Sequence, residues 1–226
     1  ALRCADDHVV YKNGAKEIAA QEGMAISFMA KYNEREGNSC HIHFSLADGD
    51  GPLFPREPRT FQSFLAGQLA HARELALLLA PNINSYKRFA VGSFAPTTVA
   101  WGKDNRTCSL RVVGHGPGLR FENRSGGADL NPYMALAALI AAGLDGVERG
   151  LELEPALAGN AYASPDRPRL PTTLREARDL FAASELAHRA FGAEVVAHYV
   201  NAADIELAAF AAAVTDWERS RGFERL

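Results

Sequence analysis

The sequence predicts an α+β fold. Strand-like runs crowd the first half and the middle of the 226-residue chain, helical patterns lie between and after them, and no internal repeat is present. With 47% hydrophobic residues the chain can bury one substantial core, and one domain is the expected count.

Residues 6–21 read as a helix with Val10 and Ile18 on one face and Gly23 placed to stop it, although Asn13-Gly14 interrupts the pattern. Residues 24–32 and 40–46 read as strands joined by the polar connection 33–37, and Asp48-Gly49-Asp50-Gly51-Pro52 reads as a turn. The stretch 61–80 carries an apolar stripe through Phe61, Phe64, Leu65, Leu69, Leu75 and Leu79, and Pro81 ends that helix. Short strands are expected near 86–91, 97–101, 108–113 and 119–123. Asn131-Pro132 then opens a helix, with Asn as cap and Pro at the first helical position. Prolines 165, 168 and 171 make 156–171 a loop. Thr173-Leu174-Arg175-Glu176 is a capping box before the next helix, and Leu207, Phe210, Val214 and Trp217 mark a last amphipathic one.

Composition removes several function classes. No 18-residue apolar run exists, so no transmembrane helix is expected, and residues 1–11 lack the apolar core of a signal peptide. Cys4, Cys40 and Cys108 are odd in number and far apart, which argues against a disulfide framework and for a reducing compartment, the cytoplasm. A net charge of −3 favours neither nucleic acid nor a membrane surface. Its distribution is more telling. Residues 86–124 hold seven Lys/Arg and two acids, a local +5 that leaves −8 on the remainder. A basic stretch in an acidic chain can gather anions, or can simply be solvated surface charge.

Chemistry concentrates in His41-Ile42-His43 and Glu122-Asn123-Arg124. Residues two apart on a strand share a face, so two imidazoles lie together in the first run and a carboxylate and a guanidinium in the second. Arg88, Arg106 and Arg111 fall between them. A cation held by His and Glu and ringed by arginines is what a site for nucleotide phosphates requires. A mixed His and carboxylate set suits Mg²⁺ or Mn²⁺, and the lack of C-x-x-C or H-E-x-x-H argues against structural zinc. The ordinary alternatives are a satisfied strand histidine and a plain surface ion pair. Gly114-His115-Gly116-Pro117-Gly118 lacks the spacing of a P-loop or dinucleotide turn and reads as a hairpin loop.

Five ordered motifs carry a resemblance. They are GNSCHIHFSL (residues 37–46), NSYKRF (84–89), GSFAPT (92–97), WGKDNRTCSLRV (101–112) and RFENRSGGADLNPYMALAALIAAGLDG (120–146), with VTDWERSRGFERL (214–226) as an ending. Together they resemble the catalytic domain of the glutamine synthetase family across nearly the whole chain. The resemblance implies a glutamine synthetase/guanido kinase-like fold, with antiparallel strands forming an active-site sheet flanked by helices. It also implies ATP and a divalent cation. The γ-carboxylate of glutamate is phosphorylated, and ammonia or an amine then attacks the acyl phosphate. By motif position, His41 and Glu122 would hold the cation, and His43, Ser45, Arg106, Arg111 and Arg120 would meet ATP. Gly37, Arg88, Phe94 and Arg124 would meet the other substrates, with Arg88, Arg106 and Arg124 acting in catalysis.

Two departures from the family pattern shape the expectation. Ammonia-using members carry Glu in a GYEAP motif where this chain has Phe94. A phenyl ring cannot pair with ammonium as a carboxylate does, but suits the alkyl part of a larger amine, with cation–π attraction still available. The pattern therefore resembles the branch that makes γ-glutamyl amides of polyamines and other amines. The alternatives are an ammonia-dependent glutamine synthetase, in which Phe94 is only a core aromatic, and a non-catalytic regulatory or assembly protein on the same fold. In addition, the family's N-terminal β-grasp domain and early metal-binding strands have no counterpart here. Residues 1–226 are thus expected to be the C-terminal portion of a catalytic domain, inactive alone, from a ring-shaped homo-oligomer that is a dodecamer by resemblance.

Overall fold

The computed structural model describes residues 1–225 apart from the Glu224 side chain; Leu226, the end of the last motif, lies outside the described residues. After α1 (Leu2–Gln21) come β1 (Ile42–Phe44), the small hairpin β2 (Ala47–Asp48) and β3 (Gly51–Pro52), then α2 (Pro58–Ala70), α3 (Ala76–Leu79) and α4 (Ile83–Tyr86). Strands β4 (Trp101–Lys103), β5 (Leu110–Val113) and β6 (Arg120–Asn123) precede α5 (Pro132–Glu148). Helices α6 (Leu174–Ala182), α7 (Glu185–Phe191), α8 (Ala193–Ala212) and α9 (Asp216–Arg225) complete the chain.

The sheet order is β1-β6-β5-β4, antiparallel except for the parallel β4–β5 pair. Alternation puts Phe44, Phe121 and Val112 on its inner face, where the Phe44 and Phe121 rings stack with centroids 5.5 Å apart and Phe54, Phe61 and Phe64 close around them. Helices α2 and α5 cover this face. They cross at Gly67 and Gly146, where a Cβ on either would collide with the other's backbone. Asn123, inward on β6, gives its amide to Gln68 on α2 at 3.0 Å, and Gln68 passes a bond to the Leu139 carbonyl. This buried polar chain fixes the sheet against both helices.

Several expected elements shift. Residues 24–32 form no strand; at their end both backbone groups of Lys31 are bonded by the Asn84 side chain, not by a neighbouring strand. Residues 86–91 are not a strand either. Asn82 and Ser85 form a reciprocal cap that starts α4, and Val91 is exposed in the turn beyond. The strand expected at 97–101 begins only at Trp101, with an isolated bridge between Thr98 and Arg169. The expected helix 61–80 breaks after Ala70, where His71 turns its ring to Glu74 and Asp145. Thr173 caps α6 as anticipated, but Glu176 returns its bond to the Thr172 N–H. The last amphipathic stripe divides in two, since Thr215 and Glu218 form a capping box that begins α9.

Candidate active site

The outer face of the sheet gathers the chemistry. Strand register places His43 directly across from Glu122, and Glu122 directly across from Arg111. Alternation adds Arg120 on β6, while His41, Ser45 and Arg124 flank the strands at the same parity. Glu122 is the hub. Its Oε1 lies 2.7 Å from His41 Nδ1, 3.9 Å from His43 Nε2 and 2.9 Å from Arg124 Nη1, and its Oε2 accepts from Arg111 Nη1 at 3.0 Å. Burial opposes ionisation of Glu122, but bonds from Arg111 and Arg124 outweigh it and hold the carboxyl below the usual range.

Around this hub the imidazole is neutral. Burial, then the nearby Arg124 charge, lowers the His41 pKa to about 4. Its Nε2 is buried with no hydrogen-bond partner among the described residues, and the same holds for Arg124 Nε and Arg88 Nε. Imidazole nitrogen and carboxylate oxygen are donor types a divalent cation takes, although here His41 turns Nδ1 to Glu122 and its free Nε2 away from it. The described residues contain no group of three such ligands, so the pair fits only as part of a larger set.

The arginines divide by environment. Arg124 is 3% exposed and bridges Glu122 to the Phe94 carbonyl, which accepts from Nη2 at 3.0 Å. Arg111 is clamped on its other side by Asp104, whose Oδ1 accepts from Nε at 2.8 Å and also from Nη2. Asp104 was not singled out by sequence, although it lies inside the WGKDNRTCSLRV motif. Arg88 is not open to the face. Its guanidinium donates to Ser39 Oγ and to the Arg124 and Ser125 carbonyls, lies over the Phe89 ring, and braces the strand end that carries Arg124. Burial lowers its pKa to about 10, leaving it charged at neutral pH. Gly37 is needed beside it, since a Cβ there would lie 2.5 Å from Arg88 Cγ. Arg106 and Arg120 are exposed. Arg120 bonds only the Gly118 carbonyl, and Arg106 makes no hydrogen bond or ion pair among the described residues. Ser45 is also exposed, at the outer end of the same face.

Phe94 is 57% exposed, so it is not a core aromatic. Its backbone is left-handed, with φ 57°. For a bulky residue that conformation costs about 1–2 kcal/mol.

A central carboxylate, a neutral imidazole and flanking guanidiniums thus share one sheet face, an arrangement with charge to spare for an anion. The model of the glutamine synthetase catalytic domain matches residues 1–222, and the chain belongs to that family. It is 64% identical, over its whole length, to a gamma-glutamylethanolamide synthetase of Streptomyces coelicolor, and 44% identical over 98% of its length to a glutamate–isopropylamine ligase of a Pseudomonas species. It covers 50% of each of these, so it spans about half the length of the curated relatives it matches. A solved GmaS–ADP complex superposes with a TM-score of 0.89 at 31% identity, over 97% of this chain and 54% of that one. GmaS without ligand gives 0.87.

Proposed function

We propose that this chain is the C-terminal portion of the catalytic domain of an ATP-dependent ligase that joins the γ-carboxylate of glutamate to a small amine. The observation that carries the reading is the outer sheet face. Arg111 and buried Arg124 share the single carboxylate of Glu122, and the Arg124 Nε donor is left unpaired, so positive charge and hydrogen-bonding capacity are unspent there. Such groups are costly to bury without an anion. The similarity to two glutamate–amine ligases supports the choice of reaction.

In this reading a γ-carboxylate oxygen of glutamate attacks the terminal phosphorus of ATP, giving γ-glutamyl phosphate and ADP. The amine nitrogen then attacks the acyl carbon, phosphate leaves and the nitrogen loses a proton. Both reactants of the first step are anions, so the site must cancel their repulsion. Arg111 and Arg124, fixed by Glu122, supply stationary charge beside the reacting groups, and unpaired Arg106 is free to meet the transferred phosphate. His43, Ser45 and Arg120 line the path of the nucleotide. Arg88 holds the Arg124 segment in place and adds its charge from beneath. His41 and Glu122 would hold Mg²⁺ or Mn²⁺, which when bound offsets phosphate charge. Two donors would be part of a larger set, and 226 residues alone should turn over poorly.

Phe94 faces solvent where the amine would enter, and its ring suits alkyl carbon better than ammonium. No helix among the described residues is long and apolar enough to cross a membrane. We place the enzyme in the cytoplasm, as part of a ring-shaped oligomer. The test is competition, in the full-length protein with ATP and glutamate, among ammonium, ethanolamine, isopropylamine, putrescine and spermidine at matched concentrations. γ-Glutamyl alkylamides should dominate the products; a preference for ammonium would remove the amine reading.

A further inference from the structure

The loop that carries Phe94 is held by more than its own sequence. Gly92 is also left-handed, Ser93 Oγ donates to the Ala90 carbonyl at 2.6 Å and accepts from the Ala95 N–H, and Pro96 follows. Two consecutive carbonyls of the loop are then gripped from outside. Arg124 Nη2 takes that of Phe94, and the Tyr162 hydroxyl takes that of Ala95 at 2.9 Å. An exposed aromatic ring on strained backbone gains little from burial, so its conformation has to be imposed by such contacts.

Tyr162 is distant in sequence, and its segment is itself anchored to the phosphate side of the site. It lies in the 3₁₀ turn Ala161–Ala163, started by the Asn160 side chain, which accepts from the Tyr162 N–H. Asn105, next to Arg106, donates to the Gly159 carbonyl at 2.7 Å. Thr107 Oγ1 accepts from the Ala161 N–H at 2.9 Å, and Thr98 Oγ1 donates to the Ala161 carbonyl at 3.1 Å. Residues 157–163 thus form a strap that runs from the Arg106 turn to the Phe94 loop. Burial raises the Tyr162 pKa, so its hydroxyl stays protonated and donates at neutral pH.

We infer that Tyr162 is a positioning residue for amine selection: by holding the Ala95 carbonyl it fixes where the Phe94 ring stands, and so which amine fits beside the acyl phosphate. The inference rests on the ligase reading above. Its failure is separable, because only the ratio between amines is at stake.

The experiment uses the full-length protein and Tyr162→Phe, which removes the donor and keeps the ring. kcat and KM are measured for ethanolamine, isopropylamine and ammonium at saturating ATP and glutamate, and KM for ATP and glutamate separately. The expected result is a fall of about two- to tenfold in kcat/KM for the alkylamines, the worth of one hydrogen bond, through KM for the amine. KM for ATP and glutamate stays unchanged and the preference over ammonium shrinks. The same change made in a Phe94→Ala background should have no effect on that preference, since the group acted upon is gone. An unchanged preference in Tyr162→Phe, equal losses for every substrate, or an undiminished effect without the Phe94 ring would each overturn the inference. A wild-type protein that makes no γ-glutamyl amide would overturn the ligase reading and this inference with it.

Discussion

Two buried carboxylates in this protein stand among the same kinds of side chain. Glu122, on the outer sheet face, meets His41, His43, Arg111 and Arg124. Asp145, on α5, meets His71 at 2.7 Å, Arg149 at 3.1 Å and Arg189. The difference lies in what is left over. Both His71 nitrogens are bonded, to Glu74 and Asp145, and the two arginines on Asp145 extend into solvent, each more than half exposed. Around Glu122 the His41 Nε2 and Arg124 Nε are buried and unpaired, and Arg124 is buried with them. The histidines show the same contrast. Burial and Arg124 push His41 down to about 4. Burial also opposes the charge on His71, but the bonds from Glu74 and Asp145 prevail and raise its pKa. A closed ion cluster ties helices together; one with spare hydrogen-bonding capacity is open to a ligand.

Substitution should separate the two most sharply. In the full-length enzyme, Glu122→Gln or Arg106→Ala should lower kcat by about 10²–10³, the usual cost of one charge-stabilising group; the exposed Arg106 leaves the melting temperature little changed, whereas Glu122→Gln also lowers it, because buried Arg124 and Arg111 lose their anion. Steady-state rates beside thermal melts check this, and near-normal rates in both variants would reject the roles assigned to them. Asp145→Asn should lower stability alone. It leaves His71 and two arginines without their shared anion and should cost about 2–3 kcal/mol in denaturant unfolding. That is less than for a fully buried pair because Arg149 and Arg189 reach water. Its kcat, measured on folded protein, should stay close to wild type.

Acidity sharpens the contrast further. Protonated His71 is favoured in the folded state, so its stabilising effect is complete below an unfolded value of about 6.5 and is lost as pH rises through the higher folded value. The stability gap between wild type and His71→Gln should therefore narrow from pH 6 upward; a constant gap would mean that His71 gains nothing from its partners. The smallest effect expected is at Phe94. Phe94→Gly relieves left-handed strain but adds freedom to the unfolded chain, for a net gain of about 0.5 kcal/mol, while discrimination between amines is lost. Chemical unfolding and the amine assay read the two halves of that trade.

Sequence went far toward this picture where the pattern was local. Alternation alone paired His41 with His43 and Glu122 with Arg124, and Asn131-Pro132 placed the start of α5. The ordered motifs named the family. What could not be read was register and remote bonding. Nothing local sets Arg111 opposite Glu122, turns Asp104 onto Arg111, or brings Tyr162 to Ala95. The Asp145 cluster was invisible for the same reason, since His71 reaches it from the turn after α2 and Arg189 from α7. Strand propensity misled at 24–32 and 86–91 because remote or capping side chains took the backbone bonds, Asn84 those of Lys31 and Asn82 the start of α4.

The central claim is that the Glu122 face serves ATP-driven transfer to a carboxylate. Glutamate labelled with ¹⁸O in its γ-carboxylate, incubated with the full-length protein, ATP and ethanolamine, tests it directly by mass analysis of the phosphate and the amide. The account predicts one labelled oxygen in the released phosphate and one retained in γ-glutamylethanolamide. Amide formed without label in phosphate, or phosphate released with no amide, would contradict it.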